Sequence, residues 1–436
     1  MNSGITLWNK AKKIIPGGNQ LLSKRVERFL PGQWPAYYNR AKGCEVWDLD
    51  NNHYFDFAQM GVGSCILGYA DDYVNDAVKN AVDNGSMCSL NSFEEVQLAE
   101  KLISLHPWAE MVRFSRTGGE ACSIAVRIAR AASGKDKIAF CGYHGWHDWY
   151  ISSNIGDSTN LDNQLLPGLD SKGVPRNLKD TNLPFNYNNI GELEAIISKY
   201  PNEIGVIIME PQRGFEPENN FLHKVREIAD KIGAVLIFDE VTSGFRMNLG
   251  GIHLLYNVEP DIAVFGKALG NGIPISAIIG KKSVMDVAQE SFISSTMWTE
   301  RIGFVAALAC IEKMEKENVQ QKLIEYGVQI NEGWEKIAEH NDIKIHISGL
   351  PPLTHIAFDY DVAMDIQTLY TQDMLEKGYL IGASVYSTFA YTTEIIDKFI
   401  SDSDSTFKLL KGAIKEGNVK EYLKGETIQT GFKRLT

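Results

Sequence analysis

Between about residues 110 and 280, short and wholly apolar runs alternate with stripes of apolar residues at 3.6-residue spacing. Val206-Ile207-Ile208-Met209, Val235-Leu236-Ile237-Phe238 and Ile262-Ala263-Val264-Phe265 offer no polar position to turn toward water. They predict strands of a mainly parallel sheet covered on both faces. Between two of these runs, Phe221, Leu222, Val225, Ile228, Ala229 and Ile232 fall on one helical face, and Gly233 stands where a left-handed stop belongs. Ala121, Ile124, Ala125, Ile128, Ala129 and Ala132 form a second stripe directly after Thr117-Gly118-Gly119. Strands alternating with helices in this way define an α/β fold.

On either side the rhythm changes. Glu45-Val46-Trp47-Asp48 and Tyr54-Phe55-Asp56-Phe57 flank the polar turn Asp50-Asn51-Asn52 and predict a hairpin. A helix-rich stretch from about 72 to 105 ends at Pro107, and beyond about 300 long amphipathic helices mix with a few short strands. The expected organisation is an amino-terminal segment (1–60), a large domain (61–295) and a carboxy-terminal part (296–436). The two chain ends are expected to build a smaller α+β domain.

Composition narrows the partners. Forty-three basic residues face 55 acidic ones, a formal net charge of −12, and Lys and Arg form no stripe. That argues against nucleic acid or an anionic membrane as partner. Six scattered cysteines without a C-x-x-C pair are expected to be reduced, buried thiols. Met1-Asn2-Ser3-Gly4 leads into a mixed polar segment, and no later window approaches about 18 uninterrupted apolar residues, so a cytoplasmic location is expected.

Ligands of open α/β sheets bind beyond the carboxyl ends of the strands, which directs attention to the residues after each apolar run. Those residues are Glu210-Pro211, Asp239-Glu240 and Gly266-Lys267, while Ile138-Ala139-Phe140 leads to Gly142-Tyr143-His144. A lysine closing a buried strand is either a snorkelling surface residue or a desolvated amine suited to Schiff-base chemistry. Asp239 favours the second reading, because a buried carboxylate requires a cationic partner and the pyridinium N–H of pyridoxal 5'-phosphate is one. Read alone, Asp239 is equally well a strand-end cap with Glu240 as its solvated neighbour. Thr117-Gly118-Gly119-Glu120 ahead of a helix offers backbone N–H groups to a phosphate, although a glycine pair before a helix is more often simply a turn. Tyr143 has the place of a ring that lies over a cofactor, or of an ordinary core tyrosine. His144 and His147 lack a carboxylate at zincin spacing, so no metal site is expected and both read as satisfied histidines. A nucleotide P-loop would require Gly at position 261 and Ser or Thr at 268, where Asp261 and Ala268 stand.

These residues resemble the class III (fold type I) pyridoxal-phosphate aminotransferases, and within them the glutamate-1-semialdehyde 2,1-aminomutase branch. The likeness runs from Pro16-Gly17-Gly18 to Tyr391-Thr392. Its most specific pieces are Phe238-Asp239-Glu240-Val241, Thr242-Ser243-Gly244-Phe245-Arg246, Pro260-Asp261 and Gly266-Lys267-Ala268-Leu269-Gly270-Asn271-Gly272-Ile273-Pro274. The resemblance implies that Lys267 carries the cofactor as a Schiff base and that Asp239 pairs with its ring nitrogen. Val241 and Tyr143 would flank the ring, and Gly118 and Gly119 would bind the phosphate. Glu210 and Glu120 match acidic positions near the site. It further implies a homodimer in which Thr296 reaches the partner's cofactor phosphate.

The sequence also departs from that pattern. Thr117-Gly118-Gly119 replaces the usual Ser-Gly-Thr, so one hydroxyl contact to the phosphate is missing or comes from elsewhere. Ser295-Thr296-Met297-Trp298-Thr299-Glu300-Arg301 replaces Gly-Thr-Leu-Ser-Gly-Asn-Pro, and positions 384–390 lack the aminomutase's gating glutamate. No arginine stands between Arg301 and Arg434 to grip a dicarboxylate donor. Arg213, Arg246, Lys24 and Arg25 are the candidates for a substrate carboxylate, Arg213 first, with a surface ion pair as its alternative. Trp34, Tyr37, Tyr386, Ser387 and Thr388 would suit a hydroxylated, sugar-like acceptor. The expectation is an aminotransferase acting on a small amine donor and a carbonyl acceptor. An intramolecular aminomutase (isomerase) is the alternative, and a catalytically silent scaffold is disfavoured by the intact Lys267 and Asp239.

Overall fold

The computed structural model describes residues 2–164, 166–212, 214–432 and 435. The chain divides into two units, Asp72–Gln320 and the pair Met1–Asp71 with Gln321–Thr436.

A seven-stranded sheet forms the middle of the first unit. In spatial order its strands are Met111–Ser115, Ser276–Gly280, Ile262–Phe265, Val235–Asp239, Ile204–Met209, Lys137–Cys141 and Asn182–Pro184. The five strands from Ile262–Phe265 onward are mutually parallel, whereas Ser276–Gly280 runs antiparallel to both its neighbours. The apolar runs are buried on both faces because alternate residues enter different cores. Val206, Ile208, Ile237 and Val264 pack with Ala121, Ala125 and Ile128 of the helix Gly118–Ser133. Ile207, Met209, Leu236 and Phe238 pack with Leu222, Val225 and Ala229 of the helix Phe221–Ile232. Both helices stop at a left-handed glycine: Gly233 (φ 65°), as predicted, and Gly134 (φ 66°).

The second unit draws on both chain ends. The predicted hairpin is present as Glu45–Asp48 paired antiparallel with His53–Asp56. Tyr38–Lys42 flanks it on one side and Tyr379–Leu380 on the other. A second sheet orders Ile345–Ser348, Leu353–Phe358 and Ser384–Tyr386. Its core includes a stack of Phe57 on Phe399, centroids 4.0 Å apart, beneath the helix Thr393–Glu416. No helix among the described residues is long and apolar enough to cross a membrane. The six cysteines are all thiols, but Cys88 is exposed, which corrects the expectation that every one would be buried.

Candidate active site

Asp239 is the last residue of its strand, 4% exposed, and is held on three sides. Its Oδ1 accepts the N–H of Val241 at 3.0 Å, a turn that leads the chain out of the sheet. Its Oδ2 lies 2.8 Å from His144 Nδ1 and accepts the Cys122 thiol at 3.2 Å. Both neighbours come from elements that the sheet itself positions. Cys122 lies on the buried stripe of the helix Gly118–Ser133, and His144 follows the strand Lys137–Cys141, with Nε2 3.1 Å from the Cys141 carbonyl.

Ligand atoms of Cys122, His144 and Asp239 lie within 4.8 Å of one another, a donor set of the kind that binds metals. Burial, reinforced by the adjacent Asp239 charge, pushes the Cys122 thiol well above its ordinary value, so it acts as an S–H donor rather than a thiolate. Cys122 and His144 together clamp the Asp239 carboxylate through hydrogen bonds. The same thiol is raised by the charges of Asp239 and Glu210 and lowered by that of Lys267.

Lys267 is half-buried and follows Gly266 at the tip of the adjacent strand. Its Nζ donates to Thr242 Oγ1 at 2.8 Å. Its backbone has φ 41°, in the left-handed region that side chains with a Cβ seldom occupy. Gly266 makes room on the other side: a Cβ there would meet Ser276 Oγ at 3.0 Å and Val241 Cγ1 at 3.5 Å. A Cβ on Gly118 would press on Val241 Cγ1 at 2.9 Å. Glycines thus bring the helix start, Val241 and the lysine strand into one cradle.

The helix start is fixed by a capping box. Glu120 N–H donates to Thr117 Oγ1 at 3.4 Å while Glu120 Oε2 accepts Thr117 N–H at 2.9 Å. Gly118 and Gly119 then occupy the first helical positions, whose N–H groups point out along the axis with no intrahelical acceptor. Across from them, the Tyr143 N–H donates to Glu210 Oε2 at 3.2 Å. Gly142 (φ 106°) permits that approach, since a Cβ would fall 2.7 Å from the same oxygen.

One unit therefore assembles Lys267, Asp239, Val241, Gly118, Gly119, Tyr143 and Glu210. Thr296 belongs to that unit too but is exposed, on the 3-10 turn Thr296–Thr299. Arg25 and Tyr386 lie in the other unit. Arg25 follows the turn Leu22–Lys24 with its guanidinium 5.6 Å from the Phe432 ring, and Tyr386 ends a strand with its N–H on the Ala58 carbonyl at 2.9 Å. Arg213 lies outside the described residues. Arg246 is 1% exposed and donates Nε to the Thr242 carbonyl at 2.6 Å. Thr388 is fully buried, its hydroxyl within 3.3 Å of the carbonyls of Cys65 and Ile66.

Glu240 is not a solvated neighbour. It is 1% exposed and accepts from His253 Nδ1 at 2.8 Å and Ser243 Oγ at 2.6 Å. Burial alone would raise this carboxyl; the His253 and Ser243 hydrogen bonds overcome it and hold the carboxyl below its ordinary value. Cys122, Thr242 and Glu240 went unrecognised as parts of the site. Glu240 and Thr242 carried a sequence signal, their places one and three residues beyond Asp239 at the strand tip, whereas Cys122 carried none.

A strand-tip lysine and carboxylate beside a glycine-opened helix start define a fold type I pyridoxal-phosphate enzyme. Residues 31–400 match the family model described as Aminotransferase class-III, and the chain belongs to that family. It is 34% identical to the 3-aminobutyryl-CoA aminotransferase of Cloacimonas acidaminovorans, over 91% of this chain and 96% of that one. It is 33% identical to the glutamate-1-semialdehyde 2,1-aminomutase of Methanothrix thermoacetophila, over 94% and 97%. Among solved structures, the PLP internal aldimine form of the Sphingopyxis sp. MTA144 FumI protein shares the fold with a TM-score of 0.85 at 23% identity, covering 94% of this chain and 97% of that one. An omega-transaminase from Sphaerobacter thermophilus gives 0.83 at 24%, covering 94% and 98%. The enzyme is a pyridoxal-phosphate-dependent aminotransferase of class III, and the buried Asp239 and the glycine cradle fit that cofactor.

Proposed function

We propose that this chain moves an amino group between two separate molecules, from a donor amine to an aldehyde or ketone, with Lys267 as the proton-transferring residue. When bound, the cofactor supplies an electron sink for the pair released at the substrate's Cα. Asp239 binds and orients the ring nitrogen and keeps it protonated, held in place by His144 and Cys122. Val241 and Tyr143 flank the ring, and Glu210 holds the Tyr143 backbone. The Gly118 and Gly119 amides take the phosphate. Lys267 Nζ, within reach of Thr242 Oγ1, takes the Cα proton and returns it at the other end of the transfer. The observation that carries this reading is the placement of Lys267 and Asp239 at adjacent parallel strand tips, with Val241 packed beside Gly118 and Gly266.

The choice of intermolecular transfer rests on the missing gating glutamate at 384–390 and on the 34% relative that acts on 3-aminobutyryl-CoA. A thioester amine donor of the 3-aminobutyryl-CoA kind carries no carboxylate at its reacting end, which suits a chain without an arginine between Arg301 and Arg434. Arg25 and Tyr386 remain candidate substrate contacts; the aminomutase relative keeps the intramolecular reading as the alternative. A crossover experiment separates the two: with 15N-labelled donor and unlabelled acceptor, intermolecular transfer puts the label in a different carbon skeleton. Label confined to its own skeleton sinks the proposal, and Lys267→Ala abolishes both reactions.

A homodimer completes this reading. Met87, Leu90, Phe93, Val96, Phe292 and Met297 are exposed on the unit that carries Thr296. Leu90 is 80% and Phe292 88% exposed, which in a monomer leaves apolar side chains in water.

A further inference from the structure

The reading of His144 and His147 as two satisfied histidines holds for the first and fails for the second. His147 Nδ1 is buried and has no hydrogen-bond partner among the described residues. Its surroundings aim it. Trp146 stacks on the imidazole with centroids 4.5 Å apart and planes 25° apart, and the His147 carbonyl accepts from Tyr150 at 2.9 Å and Ile151 at 3.1 Å, so ring and backbone are both fixed. The loop is pressed against the helix start: Gly145 has φ 107°, and a Cβ there would lie 2.9 Å from the Gly119 Cα. Conversely, a Cβ on Gly119 would lie 3.2 Å from His147 Cε1 and 3.3 Å from Nδ1. The imidazole occupies the space that a side chain at position 119 would fill. Position 119 is also where the sequence lacks the hydroxyl of the Ser-Gly-Thr pattern.

We infer that His147 is a ligand of the cofactor phosphate, its Nδ1–H replacing the hydroxyl contact absent at Gly119. A phosphate at the Gly118 and Gly119 amides presents more acceptor sites than two N–H groups satisfy, and a buried imidazole donor beside them meets one of those left. Phosphate binding would satisfy the imidazole in turn, since a buried donor without a partner is costly. The inference rests on the placement of the phosphate at Gly118 and Gly119.

The test titrates the full-length apoenzyme with pyridoxal 5'-phosphate and, separately, with pyridoxal, which has the same ring and aldehyde but no phosphate. His147→Ala is expected to weaken pyridoxal 5'-phosphate binding about tenfold to a hundredfold, the range for a hydrogen bond to a charged group, and to leave pyridoxal within about twofold. His147→Asn, which can keep a donor near Nδ1, is expected to fall between wild type and His147→Ala. Gly119→Thr is expected to weaken binding in the wild-type background, where its side chain meets the imidazole, and to strengthen it in the His147→Ala background, where it restores a hydroxyl. The 31P resonance of the bound cofactor is expected to move in His147→Ala. Equal loss of both ligands, loss of neither, or no gain from Gly119→Thr in the His147→Ala background overturns the inference. Failure of the phosphate placement itself is read separately: Gly118→Ala, which pushes on Val241 at the helix start, would then leave the preference for the phosphorylated ligand unchanged.

Discussion

At Lys267 the chemistry and the backbone make opposite demands. A φ of 41° costs a residue with a Cβ on the order of 1 kcal/mol or more, yet a glycine there has no amine. The turn begins a 3-10 segment, Lys267–Gly270, which ends at another left-handed residue, Asn271 (φ 46°). Strain of this kind persists only where the surroundings impose it, and here the buried strand on one side and Ala268 and Leu269 on the other do so. Lys267→Ala and Lys267→Gly are therefore both expected to be inactive, but the glycine variant should be the more stable apoenzyme by about 1 kcal/mol. Urea unfolding of the two apoproteins measures the difference. Identical midpoints would mean that the left-handed turn is relaxed at no cost. Strain at this position leaves no trace in residue type, because a lysine after a glycine reads the same whatever its φ.

Elements, not single residues, decide where the loops around the site come to rest. Arg116 precedes Thr117-Gly118-Gly119 and gathers the segment 296–300: Nε donates to the Met297 carbonyl at 2.6 Å, and Nη2 donates to the carbonyls of Trp298, at 3.3 Å, and Glu300. Gly303 leaves the space for it, since a Cβ there would overlap Nη1. Arg116→Ala would free those carbonyls, so amide exchange across 296–300 is expected to rise at least tenfold with little change in the central strands. Unchanged exchange would show that the turn holds itself. The segment after Asp239 has a different anchor. Trp108 Nε1 donates to His253 Nε2 at 3.0 Å, and the Gly251 N–H donates to His106 Nε2 at 2.9 Å while His106 Nδ1 sits 2.8 Å from the Leu102 carbonyl. His106 is thereby kept neutral, and burial, with His253 adding to it, pushes it from 6.5 down to about 4. Between those values the unfolded chain binds the extra proton and the folded one does not, so stability rises with pH across the window and is lost as pH falls through it, by at most about 3 kcal/mol. Burial also lowers His147 and His355, so the wild-type slope is shared. His106→Gln should flatten the dependence of the urea midpoint between pH 4.5 and 6.5 relative to wild type; parallel curves would remove His106 as a source.

Across the whole molecule, what the sequence makes legible is what local periodicity controls. Apolar runs gave the buried strands, 3.6-residue stripes gave the covering helices, and strand tips gave Asp239 and Lys267. Contacts between distant segments were not legible: Cys122 and Asp239 are 117 positions apart, and nothing in an alanine-rich helix singles out that thiol. The antiparallel Ser276–Gly280 was equally hidden, because an apolar strand buried on both sides has the same composition in either direction. The exposed apolar residues belong to this scale as well. Thr299 Oγ1 lies 3.6 Å from Met87 Sδ, the Arg301 guanidinium lies 5.7 Å from the Phe93 ring, and Val96, Ile293, Trp298 and Thr299 line one cleft. Side chains far apart in the chain thus meet on one surface beside the exposed Thr296. A second copy covering that surface would remove it from water, and in the proposed homodimer Thr296 would contact the partner's cofactor phosphate. Leu90→Asp combined with Phe292→Asp, two changes that touch no buried position, is expected to shift the protein from dimer to monomer in light scattering and to weaken cofactor binding in parallel. Thr296→Ala is expected to weaken cofactor binding without dissociating the dimer. A wild-type protein that is monomeric at micromolar concentration, or a monomeric double variant that binds cofactor as tightly as wild type, would remove the partner from the site.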